Sequence, residues 1–225
     1  MASPQASARP TINTAWEAVL AHVPTILMVW IASAVISGIG LGLFVLIVVV
    51  GTGAGASSDG ASTLLATLGN VVQLPFAVLS GLVGVLAVAV PALHYETGEV
   101  ITVERAFAAL LQRPWRYLLA GALFSLATTI GTLLCLLPGI AVALVMPVYV
   151  NRIFLTDQPI LEVFAASFQA VYGSENGRMF AVLEILVGLL VAVASLCTCG
   201  LAALVAVPMS YFYLQNAAYH RGVIR

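Results

Sequence analysis

Residues 24–50 run for 27 positions (24 to 50) without one charged side chain. A helix rises about 1.5 Å per residue, so this stretch is long enough for the roughly 30 Å hydrocarbon layer of a bilayer. It is too long for the apolar region of a cleaved secretory signal, which is about 7–15 residues, and is expected to stay as an anchor. Composition points the same way. Only 8% of the 225 residues are charged and 62% are hydrophobic, whereas a soluble domain carries about 25% charged residues. A chain this poor in charge cannot cover itself with a surface suited to water, and lipid must replace much of that water.

Further apolar stretches follow. A Gly/Ser-rich connector at 51–62 leads to residues 63–93. There Asn70, Gln73 and Pro75 interrupt the first half, which leaves 74–93 as the expected second span. Residues 117–137 and 139–155 read as a hairpin turning at Pro138-Gly139, and 180–196 with 200–219 as another turning at Cys197-Thr198-Cys199-Gly200. Charged, amphipathic segments at 94–116 and 157–178 separate the pairs. The expected fold is an all-α integral membrane protein with six transmembrane helices in three hairpins. It forms one polytopic domain: a cytoplasmic lead-in at 1–23, hairpin one at 24–93, an amphipathic helix with hairpin two at 94–155, and another with hairpin three at 156–225.

The basic residues orient this scheme. All eight are Arg: 9, 105, 113, 116, 152, 178, 221 and 225. With six spans every one falls on the same face, and basic residues near span ends stay cytoplasmic. Both termini are therefore expected inside. An odd number of spans would divide the arginines between faces. The net charge of −1 gives no electrostatic reason for a nucleic-acid partner.

A weak internal repeat runs through the same segments. Phe107-Ala108-Ala109-Leu110-Leu111-Gln112 matches Phe164-Ala165-Ala166-Ser167-Phe168-Gln169, and Gly139 with Pro147 matches Gly200 with Pro208 at the same spacing. Pro91 holds the comparable place near the end of span two, and Ala15-Trp16-Glu17-Ala18-Val19-Leu20 is a third, fainter copy. The unit is an amphipathic helix followed by a hairpin. Thr14 with Glu17 fits a helix capping box, and Asp157 with Pro159 a helix start. Val103, Phe107, Leu110 and Leu111 share one helical face, suited either to the cytoplasmic headgroup layer or to packing over the bundle as a lid.

Together with Leu137-Pro138-Gly139-Ile140 at a turn, this pattern over residues 90–220 resembles uncharacterised multi-pass bacterial membrane proteins. It is similar to the membrane domain attached to some glycerophosphoryl diester phosphodiesterases. The resemblance implies a helical bundle in a bacterial inner membrane or an internal membrane continuous with it. In those phosphodiesterases a separate soluble barrel carries the chemistry, and since no stretch here encodes one, the resemblance does not bring that activity with it.

Chemistry-bearing residues are few. Gly51-Thr52-Gly53-Ala54-Gly55-Ala56 satisfies the G-x-G-x-x-G/A dinucleotide pattern, but that motif needs a short strand before it and a helix after it, so a connector is the better reading. Glu184 is the only acid inside an expected span. An intramembrane carboxylate is a proton or cation site by default unless it reaches water or an arginine such as Arg152 or Arg178. Asn70 and Gln73 are three apart and would either line a polar path or bond neighbouring helices. His22, His94 and His220 fall at cytoplasmic span ends, where they would either converge as metal ligands or a pH sensor or serve as interfacial polar residues, and they lack the spacing of a metal site. Gly38, Gly40, Gly42, Gly81 and Gly84 would let helices approach closely. Cys135 is placed to pair with Cys197 or Cys199 outside the cytoplasm, or all three are small packing residues.

No catalytic set, Walker sequence or zinc motif occurs, and no cofactor is indicated. The expectation is a non-enzymatic scaffold, assembly factor or accessory subunit, its partners being the bilayer and other membrane-protein subunits. The alternative is a transporter or channel for a small solute or lipid.

Overall fold

The structure is a computed structural model that describes residues 9–53 and 59–224. Among the described residues it is helical with no strand: α1 (Ile12–Ala21), α2 (Val23–Gly53), α3 (Asp59–Gly84), α4 (Leu86–Thr97), α5 (Val103–Gln112), α6 (Pro114–Leu134), α7 (Leu136–Ala143), α8 (Met146–Leu155), α9 (Ile160–Tyr172), α10 (Glu175–Cys197) and α11 (Ala203–His220). Five segments are long and apolar enough to cross a membrane: Ile12–Gly53, Gly60–Thr97, Pro114–Leu134, Leu136–Leu155 and Glu175–Cys197. The sixth stretch expected to span, 200–219, occurs as α11. It is not among those five, and it carries Gln215, Asn216 and His220 in its last turns.

The helices pack as two units. One is Leu27–Gly84. Here α2 and α3 approach through glycines. A Cβ on Gly40 would stand 2.7 Å from the Cβ of Phe76, and one on Gly69 would stand 2.7 Å from the Phe44 ring. Ser37 donates to Ser80 at 2.7 Å, and Ser80 to the Ser33 carbonyl at 3.0 Å. Lipid supplies no hydrophobic force between helices, so close backbone approach and such bonds must hold them. Gly38, Gly42 and Gly81 meet no atom within 4 Å, so of the five glycines expected to pack, Gly40 makes the tight contact.

Two boundaries differ from expectation in this unit. Gly51–Gly53 still belong to α2 and α3 begins at Asp59, so the expected connector is largely helical; residues 54–58 of the glycine motif lie outside the described residues. Helix α3 also passes straight through Asn70, Gln73 and Pro75. Asn70 bonds its own helix, donating Nδ2–H to the Ala66 carbonyl at 2.9 Å. The chain breaks instead at Val85.

The other unit comprises Met1–Ile26 and Val85–Arg225. Its core is α4, α8 and α11, which pack on one another. Helix α6 lies along α7, where a Cβ on Gly131 would meet the backbone nitrogen of Gly139 at 3.0 Å. Gly139 is therefore a contact residue on a helix. The turn expected at Pro138-Gly139 falls at Cys135, in extended backbone. Helix α7 then breaks at Leu144-Val145, just ahead of Pro147, whose missing N–H cannot continue a helical ladder. The Phe124 ring of α6 stacks on Tyr149 of α8, and Phe164 of α9 meets Tyr149 edge to face. The expected last turn does occur, with Cys199 and Gly200 at φ +50° and +91°.

The helix starts refine the capping expectations. Helix α1 opens one turn earlier than Thr14-Glu17 suggests. Thr11 accepts from the Thr14 amide at 3.1 Å, and the Thr14 hydroxyl accepts from the Thr11 amide at 3.2 Å, so Thr14 closes the box that Thr11 opens. Helix α9 follows Pro159, while Asp157 forms an ion pair with Arg113. On α5, Ala106 and Leu110 are buried, whereas Leu111 is exposed.

Candidate functional site: a polar core on proline-bearing helices

Helices α4, α8 and α11 each carry a buried proline: Pro91, Pro147 and Pro208. Proline frees a carbonyl one turn upstream, and helices so interrupted in a membrane protein need other groups to satisfy their backbones. Polar side chains gather there. Asn151 on α8 donates its two amide hydrogens to Gln215 Oε1 at 3.3 Å and to the Tyr219 hydroxyl at 3.1 Å. Gln215 donates in turn to the Pro147 carbonyl at 2.8 Å, and Tyr219 donates to Glu96 Oε2 at 3.1 Å. These bonds tie α8 to α11 and α11 to α4, with Gln215 returning one bond to α8. Asn151, Gln215 and Asn216 are no more than 2% exposed.

A second cluster adjoins the same helices. His22, the residue between α1 and α2, is fully buried, and its ring centroid lies 4.8 Å from that of His94 on α4. Phe212 of α11 sits against both rings, at 5.0 and 5.9 Å. Of the three histidines singled out in the sequence, two thus come together, while His220 lies at the exposed end of α11. Among the described residues no group of three His, Cys, Asp or Glu side chains is placed to hold a metal ion.

Glu184 sits on α10, nine residues in from Glu175 (184 − 175), or about 13 Å along the axis. Its Oε2 is buried and has no hydrogen-bond partner among the described residues. Neither Arg178, which is exposed, nor Arg152 forms an ion pair with it. The phenols of Tyr172 on α9 and Tyr211 on α11 lie within electrostatic reach of the carboxyl. An ionisable group in this position has a desolvation cost with no partner to offset it.

The remaining expected residues do not join this site. Asn70 and Gln73 belong to the Leu27–Gly84 unit, where Asn70 is exposed and Gln73 half-buried against Gly40. Cys135, Cys197 and Cys199 are exposed free thiols. A cavity of about 330 Å³ opens between α1, α10 and α11, lined by Ile12, Val187, Val191, Ala206, Ser210 and Tyr213. It is almost wholly apolar, and Glu184 does not line it.

The Asn151–Gln215–Tyr219–Glu96 chain escapes sequence reasoning. Its one signal is two adjacent amides, Gln215-Asn216, inside a stretch expected to span, where polar residues are rare and mark function by default. Comparisons with family models, with curated proteins and with solved structures find no match to this chain.

Proposed function

We propose that this chain is a membrane carrier for a small solute or lipid, with Glu184 as the group that takes up and releases a proton or small cation. The observation that carries the reading is the buried, unpartnered Oε2 of Glu184 on a helix apolar enough to span. A protein that only filled a place in the bilayer would gain stability by replacing this residue with leucine. Retaining a lone acid at such depth makes sense where the acid changes its protonation or its ligand. The proline-bearing helices support the same reading, because interrupted segments in corresponding positions point to binding sites in carriers. In this proposal the chain crosses a bacterial inner membrane six times with both termini inside, as three copies of an amphipathic helix and a hairpin.

The test is a flux assay. Proteoliposomes holding a pH-sensitive dye, or loaded to follow labelled sodium, are driven by an imposed potential. Wild-type protein is expected to move protons or sodium, and Glu184→Gln to abolish the movement. Equal flux from both proteins would remove Glu184 from the mechanism.

A second reading is a scaffold or accessory subunit. It is favoured by Gly38, Gly42 and Gly81, which meet no atom within 4 Å and leave a small-residue face of the kind that packs against other helices. Cross-linking in native membranes that yielded only the monomer would count against it.

A further inference from the structure

His22 is held in a single chemical form by its neighbours. Its Nδ1 lies 2.7 Å from the Ala18 carbonyl oxygen, which only accepts, so Nδ1 carries the hydrogen. Its Nε2 lies 3.0 Å from the Ile101 backbone nitrogen, which only donates, so Nε2 presents its lone pair. The ring is therefore neutral and fixed in one tautomer, and both nitrogens are used. The carbonyl of the same Ile101 accepts from the Thr25 hydroxyl at 2.8 Å. Residues 98–102, which join α4 to α5, are thus clamped through both polar groups of one residue, to His22 at the end of α1 and to Thr25 in the first turn of α2.

We propose that this clamp is a proton-released latch: a second proton on His22 turns Nε2 into a donor aimed at the Ile101 N–H and ejects the 98–102 connector from the α1 turn. The protonated ring and the latch are mutually exclusive, so acid releases and base engages. The groups around His22 offer nothing to take over. From α4 come His94 and Tyr95, and a new charge on His22 would face the His94 ring 4.8 Å away. His94 uses Nδ1 on the Glu99 carbonyl at 2.9 Å. From the connector, Glu99 turns its carboxylate to Arg105 of α5. Glu96, two residues on from His94 in α4, accepts from the Tyr219 hydroxyl. From α11 comes the uncharged Phe212 ring. Among the described residues both ring nitrogens of His22 are bonded to backbone groups and neither to a carboxylate. The latch does not involve Glu184 and stands independently of the carrier proposal.

The test measures hydrogen-exchange protection of residues 98–102 in the full chain in nanodiscs, at about pH 8 and about pH 5, with intrinsic exchange rates divided out. Wild-type protection is expected to fall by about tenfold or more on acidification. His22→Gln, whose amide is able to donate to Ala18 and accept from Ile101 without titrating, is expected to stay protected at both values. Unchanged wild-type protection would overturn the proposal, and so would an acid transition that persists in His22→Gln. Nitrogen chemical shifts of labelled histidine in the wild-type protein provide a check that does not depend on the variant folding. His22 must pass from the Nδ1–H tautomer to the doubly protonated ring as protection is lost, and an imidazole that stays neutral while protection falls also overturns it.

Discussion

Asn151 on α8 is bonded at 3.3 Å to Gln215 on α11, although 64 positions of sequence separate them (215 − 151). The same Asn151 amide reaches Tyr219, and Gln215 passes the connection on to Pro147. Removing Asn151 leaves a buried Oε1 and a hydroxyl without their donor, so Asn151→Leu is expected to cost about 1–3 kcal/mol. Gln215→Leu should cost a similar amount. Because the pair shares one bond, the double variant should lose less than the sum of the two. Thermal unfolding of the four proteins in one detergent gives the coupling directly, and strict additivity would show that the bond contributes nothing.

Glu184 makes the opposite prediction. Its buried oxygen has no partner to lose, so Glu184→Leu relieves a desolvation cost and should raise the melting temperature. For a chain of this size each kcal/mol gained shifts the midpoint by about 2–4 °C. Higher stability together with lost flux is the signature of a residue kept for activity. A lower melting temperature would instead assign the carboxyl a structural role.

The features legible in this sequence and those hidden in it divide along a physical line. A long run free of charge has few solutions, so the apolar stretch at 24–50 reads correctly as a helix, and Glu184 stands out because it is alone. Turn positions are less visible. Pro138-Gly139 has the composition of a turn, yet Gly139 is needed as a flat surface against Gly131, a demand that belongs to the partner helix. Asn70 and Pro75 look like interruptions, but a side chain that bonds its own helix interrupts nothing. The polar core is the least legible. Asn151, Gln215 and Glu96 come from three separate segments, each with its own local pattern, and only the packing of α4, α8 and α11 brings them together.

The thiols test the orientation. If the arginines stay cytoplasmic, Cys135, Cys197 and Cys199 sit at the opposite face, and in the structure all three are exposed and free. An impermeant maleimide applied to intact cells is expected to label them. In a cysteine-free chain, Gln112→Cys should be labelled only after the cells are opened. Labelling of Gln112→Cys in intact cells would invert the topology.

Two glycines on α10 give a matched pair for the packing. At Gly177 a Cβ would stand 2.1 Å from the Ala170 carbonyl oxygen and 2.5 Å from that of Val171. These are backbone atoms at the end of α9, and no side chain is there to rotate aside, so Gly177→Ala must push α10 away from α9. At Gly188, on the same helix, a Cβ meets nothing within 4 Å. Alanine there brings only its better helix propensity, worth up to about 1 kcal/mol. The shift at Gly177 should also disturb Ser174, which caps α10 by accepting from the Gly177 amide at 3.0 Å, a contact worth about 1 kcal/mol. Gly177→Ala is therefore expected to lower the melting temperature and Gly188→Ala to leave it level or raise it. Equal effects at the two positions would mean that α9 and α10 do not approach as closely as their backbones do here.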